Sequence, residues 1–167
     1  ELKQRSLPSP NIRAREIRGK AVAPDDLHLD ELWFESGIGQ EVFLQFITED
    51  RRIAGFLRLS LPDDESEQHP PILEELRGAA MIREVHVYGQ ALSLGESQTG
   101  KAQHHGLGTE LIERAAAIAL DRGYAYLAVI SAVGTRAYYR KRGFADGELY
   151  QIRNLHDNGD AQSATGE

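Results

Sequence analysis

The sequence predicts an α/β domain, a mixed sheet with helices on its faces, and three stretches carry that expectation. Residues 41–62 hold two β-rich runs, "EVFLQFI" and "IAGFLRLSLP", around the polar "TEDRR", which is a hairpin pattern. Residues 107–122 repeat apolar side chains at helical spacing: Leu107, Leu111, Ala115, Ile118 and Ala119, with Glu110 and Arg114 as an i,i+4 pair on the other side. The run "YAYLAVIS" (124–131) is continuously apolar, as a strand buried on both faces would be. A length of 167 residues favours one domain, and 41% hydrophobic content is enough for a core.

The remaining elements follow in order. Residues 1–11 read as a basic arm, extended around Pro8 and Pro10. "REIRGK" (15–20) is a short strand candidate. "PDDLHLDELWFESG" predicts a helix, with Leu29, Leu32, Trp33 and Phe34 on one side and Gly37 ending it. The acidic, proline-containing "DDESEQHPPILEE" is a loop, "AAMIREVHVYG" a strand, and "QALSLGESQTGK" a glycine-spaced loop. "GTRAYYRKRG" is a short helix with Thr135 as N-cap and Gly143 as its stop, and a last strand lies around 147–153. The folded domain spans 12–154, and the polar tail 155–167 is expected to be disordered.

Composition narrows the function classes. There is no cysteine, so disulfides, thiolate zinc sites and cysteine-held clusters are excluded from this chain. Histidines show no metal-ligand spacing. No apolar run approaches the roughly 20 residues that span a bilayer, and no secretory signal pattern is present. A soluble cytoplasmic domain, excised or processed because it begins at Glu1, is the expectation. Net charge is −7, yet the first twenty residues carry six Lys and Arg against two Glu, a net of +4. A basic arm on an acidic body hints at a polyanion partner, although it is also what an ordinary solvated strand looks like.

"AQHHGLGTELIERAAAIA" (102–119) places Gly106 and Gly108 at a helix start, where glycine costs about 1 kcal/mol against alanine. The first turn has unpaired N–H groups and a partial positive charge, so a start stripped of side chains can receive a phosphate. Gln103, His104 and His105 just upstream can add donors. The plainer alternative is a tight turn at Gly106.

Wider context sharpens this. "QHHGLGT" resembles the Q/R-x-x-G-x-G/A pyrophosphate loop of the GNAT acetyltransferases, which bind acetyl-CoA. "GFLRLSLP" (55–62), "REVHVYG" (83–89), "QHHGLGTELIERA" (103–115) and "AVISAVGTRAYYRKRGF" (128–144) are similar to the acetyltransferase domain of the Elongator catalytic subunit, the tRNA uridine-34 acetyltransferase family. The likeness runs from about Ile12 to Asn154. It implies the GNAT acyl-CoA N-acyltransferase fold, a mixed, mostly antiparallel sheet with helices on both faces. This chain has Ser131-Ala132-Val133-Gly134 where the family usually reads "SGVG". Full-length members also carry a radical-SAM domain using an iron–sulfur cluster and S-adenosylmethionine, a part absent from this sequence.

Residue by residue, the resemblance places acetyl-CoA against Glu84, Val85, His86 and Val87, through the main chain of that strand, and against Gln103, Gly106, Leu107, Gly108 and Thr109. Period two puts Ile82, Glu84, His86 and Tyr88 on one face, where Glu84 and His86, about 6.6 Å apart, can act as a base pair or simply be hydrogen-bonded structural groups. Tyr138 and Tyr139 lie about 100° apart on a helix, so one can pack while the other faces the cofactor. The family pattern selects Tyr139 as the general acid toward the leaving thiolate, with Tyr138 second. Arg136, Arg140, Lys141 and Arg142 crowd one helix, and with Arg13, Arg15 and Arg18 of the arm they form a candidate tRNA footprint, carried first by Arg136 and Arg140, while cations near a helix C-terminus are equally the ordinary dipole pattern. The implied function is the acetyl-CoA half of a tRNA wobble-uridine modifying enzyme, working with a radical-SAM domain. Two alternatives are an N-acetyltransferase of protein lysine or a small amine, which would act with or without tRNA, and a non-catalytic CoA-binding module, which would never cleave the thioester.

Overall fold

Residues 11–18, 22–63, 71, 73–88 and 106–157 are described by the computed structural model. Most of the arm, most of the two expected loop stretches "DDESEQHPPILEE" and "QALSLGESQTGK", and the tail from 158 onward therefore lie outside the described residues. Among the described residues seven strands form one sheet: β1 (His28–Ser36), β2 (Gly39–Ile47), β3 (Ile53–Pro62), β4 (Ala79–Val87), β5 (Tyr126–Val129), β6 (Ala145–Asp146) and β7 (Gln151–Asn154). Their order is β1-β2-β3-β4-β5-β7-β6, and every neighbouring pair is antiparallel except β4 and β5. The α-helices among the described residues are α1 (Ile12–Arg15), α2 (Leu107–Asp121) and α3 (Arg136–Arg140).

Two expected elements change identity. "PDDLHLDELWFES" is a 3-10 turn over Pro24–Asp26 followed by β1, not a helix. Leu29 and Trp33 point to the α2 side beside Phe46 and Val42, while Leu32 and Phe34 take the other face beside Phe43 and Glu41. The nine-residue ladder with β2 outweighs the helical spacing of four apolar side chains, because tertiary pairing overrides local periodicity. "REIRGK" is not a strand: the chain makes the single helical turn of α1, capped by the Asn11 side chain on the Arg13 amide at 2.9 Å, and then one isolated parallel bridge, Glu16 to Ile53. The last strand is split into β6 and β7, and β7 inserts between β5 and β6. The α2 helix matches its sequence stripe, with Leu107, Leu111, Ala115, Ile118 and Ala119 all buried. Arg114 bonds Glu31 of β1 at 2.5 Å rather than Glu110, tying the helix to the sheet edge.

The core lies between α2 and the sheet. Cross-strand rows Trp33–Val42–Leu59–Ile82 and Glu31–Leu44–Leu57–Val85 run under the helix. A register shift between Arg58 and Leu59 leaves Arg83 as an extra residue in β4. The bulge resets the alternation, so Ile82 shares its face with Val85 and Val87, not with Glu84 and His86 as strict period two predicts. On the opposite face Phe43, Ile47, Ile53 and Phe56 form a second cluster, covered in part by Ile12 of α1.

β1 and β2 turn through Gly37 and Ile38, which bridge the Ser36–Gly39 pair. Gly39 has φ +139°, and a Cβ there would strike the Leu61 carbonyl and lie 2.7 Å from the Asp63 nitrogen. Gly37 has nothing within 4 Å. Gly39→Ala is expected to lower stability by about 2–3 kcal/mol and Gly37→Ala by less than about 0.5 kcal/mol, read from urea unfolding midpoints.

Candidate active site

β4 and β5 pair over four residues only, from Ala79–Tyr126 to Ile82–Val129. β4 then continues to Val87 with β3 as its sole strand partner among the described residues. That second edge is open to an extended ligand, which can bond it as an added strand would. A cavity of about 420 Å³ lies beside it. β4 supplies Val85 and Val87, the start of α2 supplies Gly106 through Thr109, and the α3 segment supplies Thr135, Tyr138, Tyr139 and Arg142.

Gly106 is the N-cap of α2, and the first main-chain bonds of the helix run from Thr109 and Glu110 back to its carbonyl at 2.7 and 3.2 Å. The amides ahead of these project from the positive end of a 15-residue helix into the cavity wall. The two glycines serve different ends. A Cβ on Gly106 would meet nothing within 4 Å. A Cβ on Gly108 would sit 2.7 Å from the Tyr138 hydroxyl, so that hydroxyl packs onto the helix start only because residue 108 has no side chain.

Arg142 fastens α3 to α2. Its Nε and one terminal nitrogen donate to Thr109 Oγ1 at 3.0 and 2.6 Å, and the other donates to the Tyr138 carbonyl at 2.6 Å. Its guanidinium stacks 3.3 Å above the Tyr138 ring. Tyr139 is 9% exposed, edge-on to both Tyr138 and Phe144 at 5.3 and 5.5 Å between centroids. Burial, with a smaller push from Tyr138 and some opposition from Arg142, raises its phenol above the ordinary tyrosine value. Tyr139 therefore keeps its proton at neutral pH, as a tyrosine of ordinary or raised pKa does.

Not all the residues singled out from sequence converge. Val85, Val87, Gly106, Leu107, Gly108, Thr109, Tyr138 and Tyr139 line the cavity. The Glu84 and His86 side chains take the other face of β4: Glu84 is 3.9 Å from Arg58, which also meets Glu41 at 3.4 Å, and His86 stacks on Phe56 and meets Tyr88 at a tilt. Gln103 and both adjacent histidines lie outside the described residues. The basic residues are spread out. Arg13 and Arg18 are exposed beside α1, on the face away from α2. Arg15 turns inward, its Nε donating to the Arg51 carbonyl at 2.9 Å, and burial lowers its pKa. Arg140 is held by Asp146, and Arg136 starts α3, its carbonyl accepting from Gln151 at 3.2 Å. Sequence reasoning grouped Arg142 with these surface cations and missed its place in the cavity, although its i,i+4 spacing from Tyr138 was the available signal.

A more polar crevice of about 560 Å³ sits at the other end of α2, where the helix presents its negative end, bounded by Glu35, Asp63, Arg77 and Arg122. Among the described residues no group of three or more His, Asp or Glu side chains could hold a metal ion, and no helix is long and apolar enough to cross a membrane.

A sheet splayed between two parallel strands, with a glycine-rich helix start across the gap, defines an acyl-CoA-type transferase fold. Residues 12–144 match the Acetyltransferase (GNAT) family, and the chain belongs to it as an acetyltransferase domain. Within that family it is 38% identical over 150 residues to the tRNA uridine(34) acetyltransferase of Dehalococcoides mccartyi, covering 86% of this chain and 32% of the relative. It is 36% identical to Elongator complex protein 3 of Danio rerio, covering 91% of this chain and 27% of the relative. Among solved structures, the archaeal Methanocaldococcus infernus Elp3 with an N-terminal deletion superposes with a TM-score of 0.72 at 27% identity, over 92% of this chain and 37% of that one. The chain thus spans about a third of the length of these relatives.

Gly108→Ala is expected to cost about 1 kcal/mol by displacing the Tyr138 hydroxyl. Tyr138→Phe, which clears that space, is expected to abolish most of the cost. A double-mutant cycle from urea unfolding measures the coupling, and independent, additive effects would contradict the packing described.

Proposed function

We propose that this domain binds acetyl-CoA in the β4–β5 cavity and supplies acetyl groups to a tRNA wobble-uridine modifying enzyme. The observation carrying the cofactor is the conjunction of an open strand edge, an α2 N-terminus and a guanidinium around one cavity. An extended amide-bearing arm suits the first, and phosphates suit the other two. The tRNA assignment rests on relatives that bear that name and on the stretches of sequence similar to them. The cavity residues have complementary parts. The main chain of Glu84 to Val87 holds the arm, Val85 and Val87 keep water from the gap, and Gly106 to Thr109, with Gln103, hold the phosphate end. The cofactor, when bound, brings an acetyl group activated as a thioester. Tyr139 holds a proton at Oη, kept there by its burial, and can deliver it to a leaving sulfur. Tyr138 is the second candidate. A base role for Glu84 or His86 requires the acceptor to approach from the face away from α2. Radical chemistry, with its iron–sulfur cluster and S-adenosylmethionine, belongs to a partner domain outside this chain, and the setting is cytoplasmic.

The testing experiment is acetyl-CoA cleavage measured with and without tRNA, on this chain alone and joined to a radical-SAM domain. Dependence on tRNA supports the reading; acetylation of an amine regardless of tRNA favours the lysine or small-amine alternative. Tyr139→Phe is expected to reduce cleavage by about 10²-fold or more while CoA affinity, by calorimetry, changes far less. With the phenol held above its ordinary value, the cleavage rate is expected to show no decline from Tyr139 ionisation below about pH 10. Arg13→Glu with Arg18→Glu is expected to weaken tRNA binding and its salt dependence, whereas Arg15→Glu acts mainly by destabilising α1; gel-shift titrations and thermal melts distinguish these.

A further inference from the structure

Arg142 is in an unusual electrostatic position. Its guanidinium bonds the third residue of α2, Thr109, at the end of the helix where cations are disfavoured. No carboxylate lies within 4 Å of it among the described residues, although Arg58, Arg77, Arg114, Arg140 and Arg153 each have one. Three of its five N–H groups are used, by Thr109 Oγ1 and the Tyr138 carbonyl, and the guanidinium is steadied by the Tyr138 ring. The result is a fixed, half-buried cation in the cavity wall with two donors to spare and like charge beside it. An anion in the cavity relieves both deficits at once.

We propose that Arg142 is the residue through which this site reads the phosphates of its ligand, making the domain selective for CoA over the same arm without phosphates. The inference rests on the acetyl-CoA reading above and deepens it, assigning discrimination by phosphate to this one side chain. A guanidinium fits the role better than an ammonium, because its planar fork can keep Thr109 and the aromatic ring while turning its free edge to a phosphate.

The test compares the full chain with Arg142→Met and Arg142→Lys, using CoA, dephospho-CoA and pantetheine as ligands, by calorimetry and by amide chemical shifts for the weakest. Thermal melts accompany each variant. The expected result is that Arg142→Met loses about 10- to 100-fold in CoA affinity, leaves pantetheine binding unchanged and flattens the salt dependence, while Arg142→Lys retains an intermediate affinity. An equal loss for CoA and dephospho-CoA assigns the contact to the diphosphate; a loss confined to CoA assigns it to the 3′-phosphate. Either supports the proposal. Wild-type affinity for CoA in Arg142→Met overturns it, as does a proportional loss for pantetheine, which would make Arg142 a packing residue. A wild-type chain that binds none of the three ligands overturns the cofactor reading itself, a different result from either.

Discussion

A single buried amide holds the point where the sheet opens. Gln151, 2% exposed, accepts from the Ser131 hydroxyl at 2.6 Å and donates to the Arg136 carbonyl at 3.2 Å and to Asp146 Oδ1 at 2.8 Å. These bonds catch the chain just after β5 and at the start of α3, and they tie both to β7 and β6. β5 stops at Val129, Ile130 is 63% exposed, and the backbone leaves the β4 side entirely. Had β5 run on beside β4, it would have filled the edge that now borders the cavity. The departure also sends α3 across the start of α2, where Tyr139 enters the core and Arg142 reaches Thr109. Cavity, strand edge and aromatic pair all follow from that exit.

The bulge at Arg83 matters almost as much. With it, β4 presents Ile82 to the core and Val85 and Val87 to the cavity, while Glu84 and His86 face away from α2. The two faces therefore differ in character. One is aliphatic and sealed by α2; the other carries a row of rings, Phe43, Phe56, His86 and Tyr88, next to Arg58 and Glu84. A donor site on the first and an acceptor approach on the second would meet only in the gap.

Legibility in the sequence followed the range of the forces involved. α2 was readable because its stripe is local and its buried face is a full helical face. The hairpin β2–β3 was readable because the polar "TEDRR" separates two β-branched and aromatic runs. β1 was not, because Leu29, Leu32, Trp33 and Phe34 satisfy helical spacing while their real partners lie on β2. The Arg83 bulge left no mark in the pattern, since it is defined by the register of β3, and it redirected the side chains assigned to Glu84's face. At the site, the sequence singled out both glycines at the start of α2, but the contact of Gly108 with the Tyr138 hydroxyl depends on how α3 crosses α2, which no local pattern encodes. The four cations of 136–142 read alike in sequence; only packing separates Arg140, held by Asp146, from Arg142, which has no acid within 4 Å among the described residues.

The order of strands has a consequence for dynamics. β1 through β4 form a meander of consecutive antiparallel neighbours, built from contacts close along the chain, while β5, β7 and β6 make a smaller C-terminal unit. Among the described residues the two units join through the four-residue parallel ladder, the packing of α2 and α3, and the Glu75 carboxylate, which accepts from the Glu148 and Leu149 amides at 2.7 and 2.9 Å. Parallel closure over a long connection forms late and is the natural line of local opening. The cavity lies along that seam, so whatever fills it staples the two units together. Occupancy of the site and cooperativity of the fold are then one equilibrium, and amide hydrogen exchange in β5 and β7 is a direct gauge of ligation.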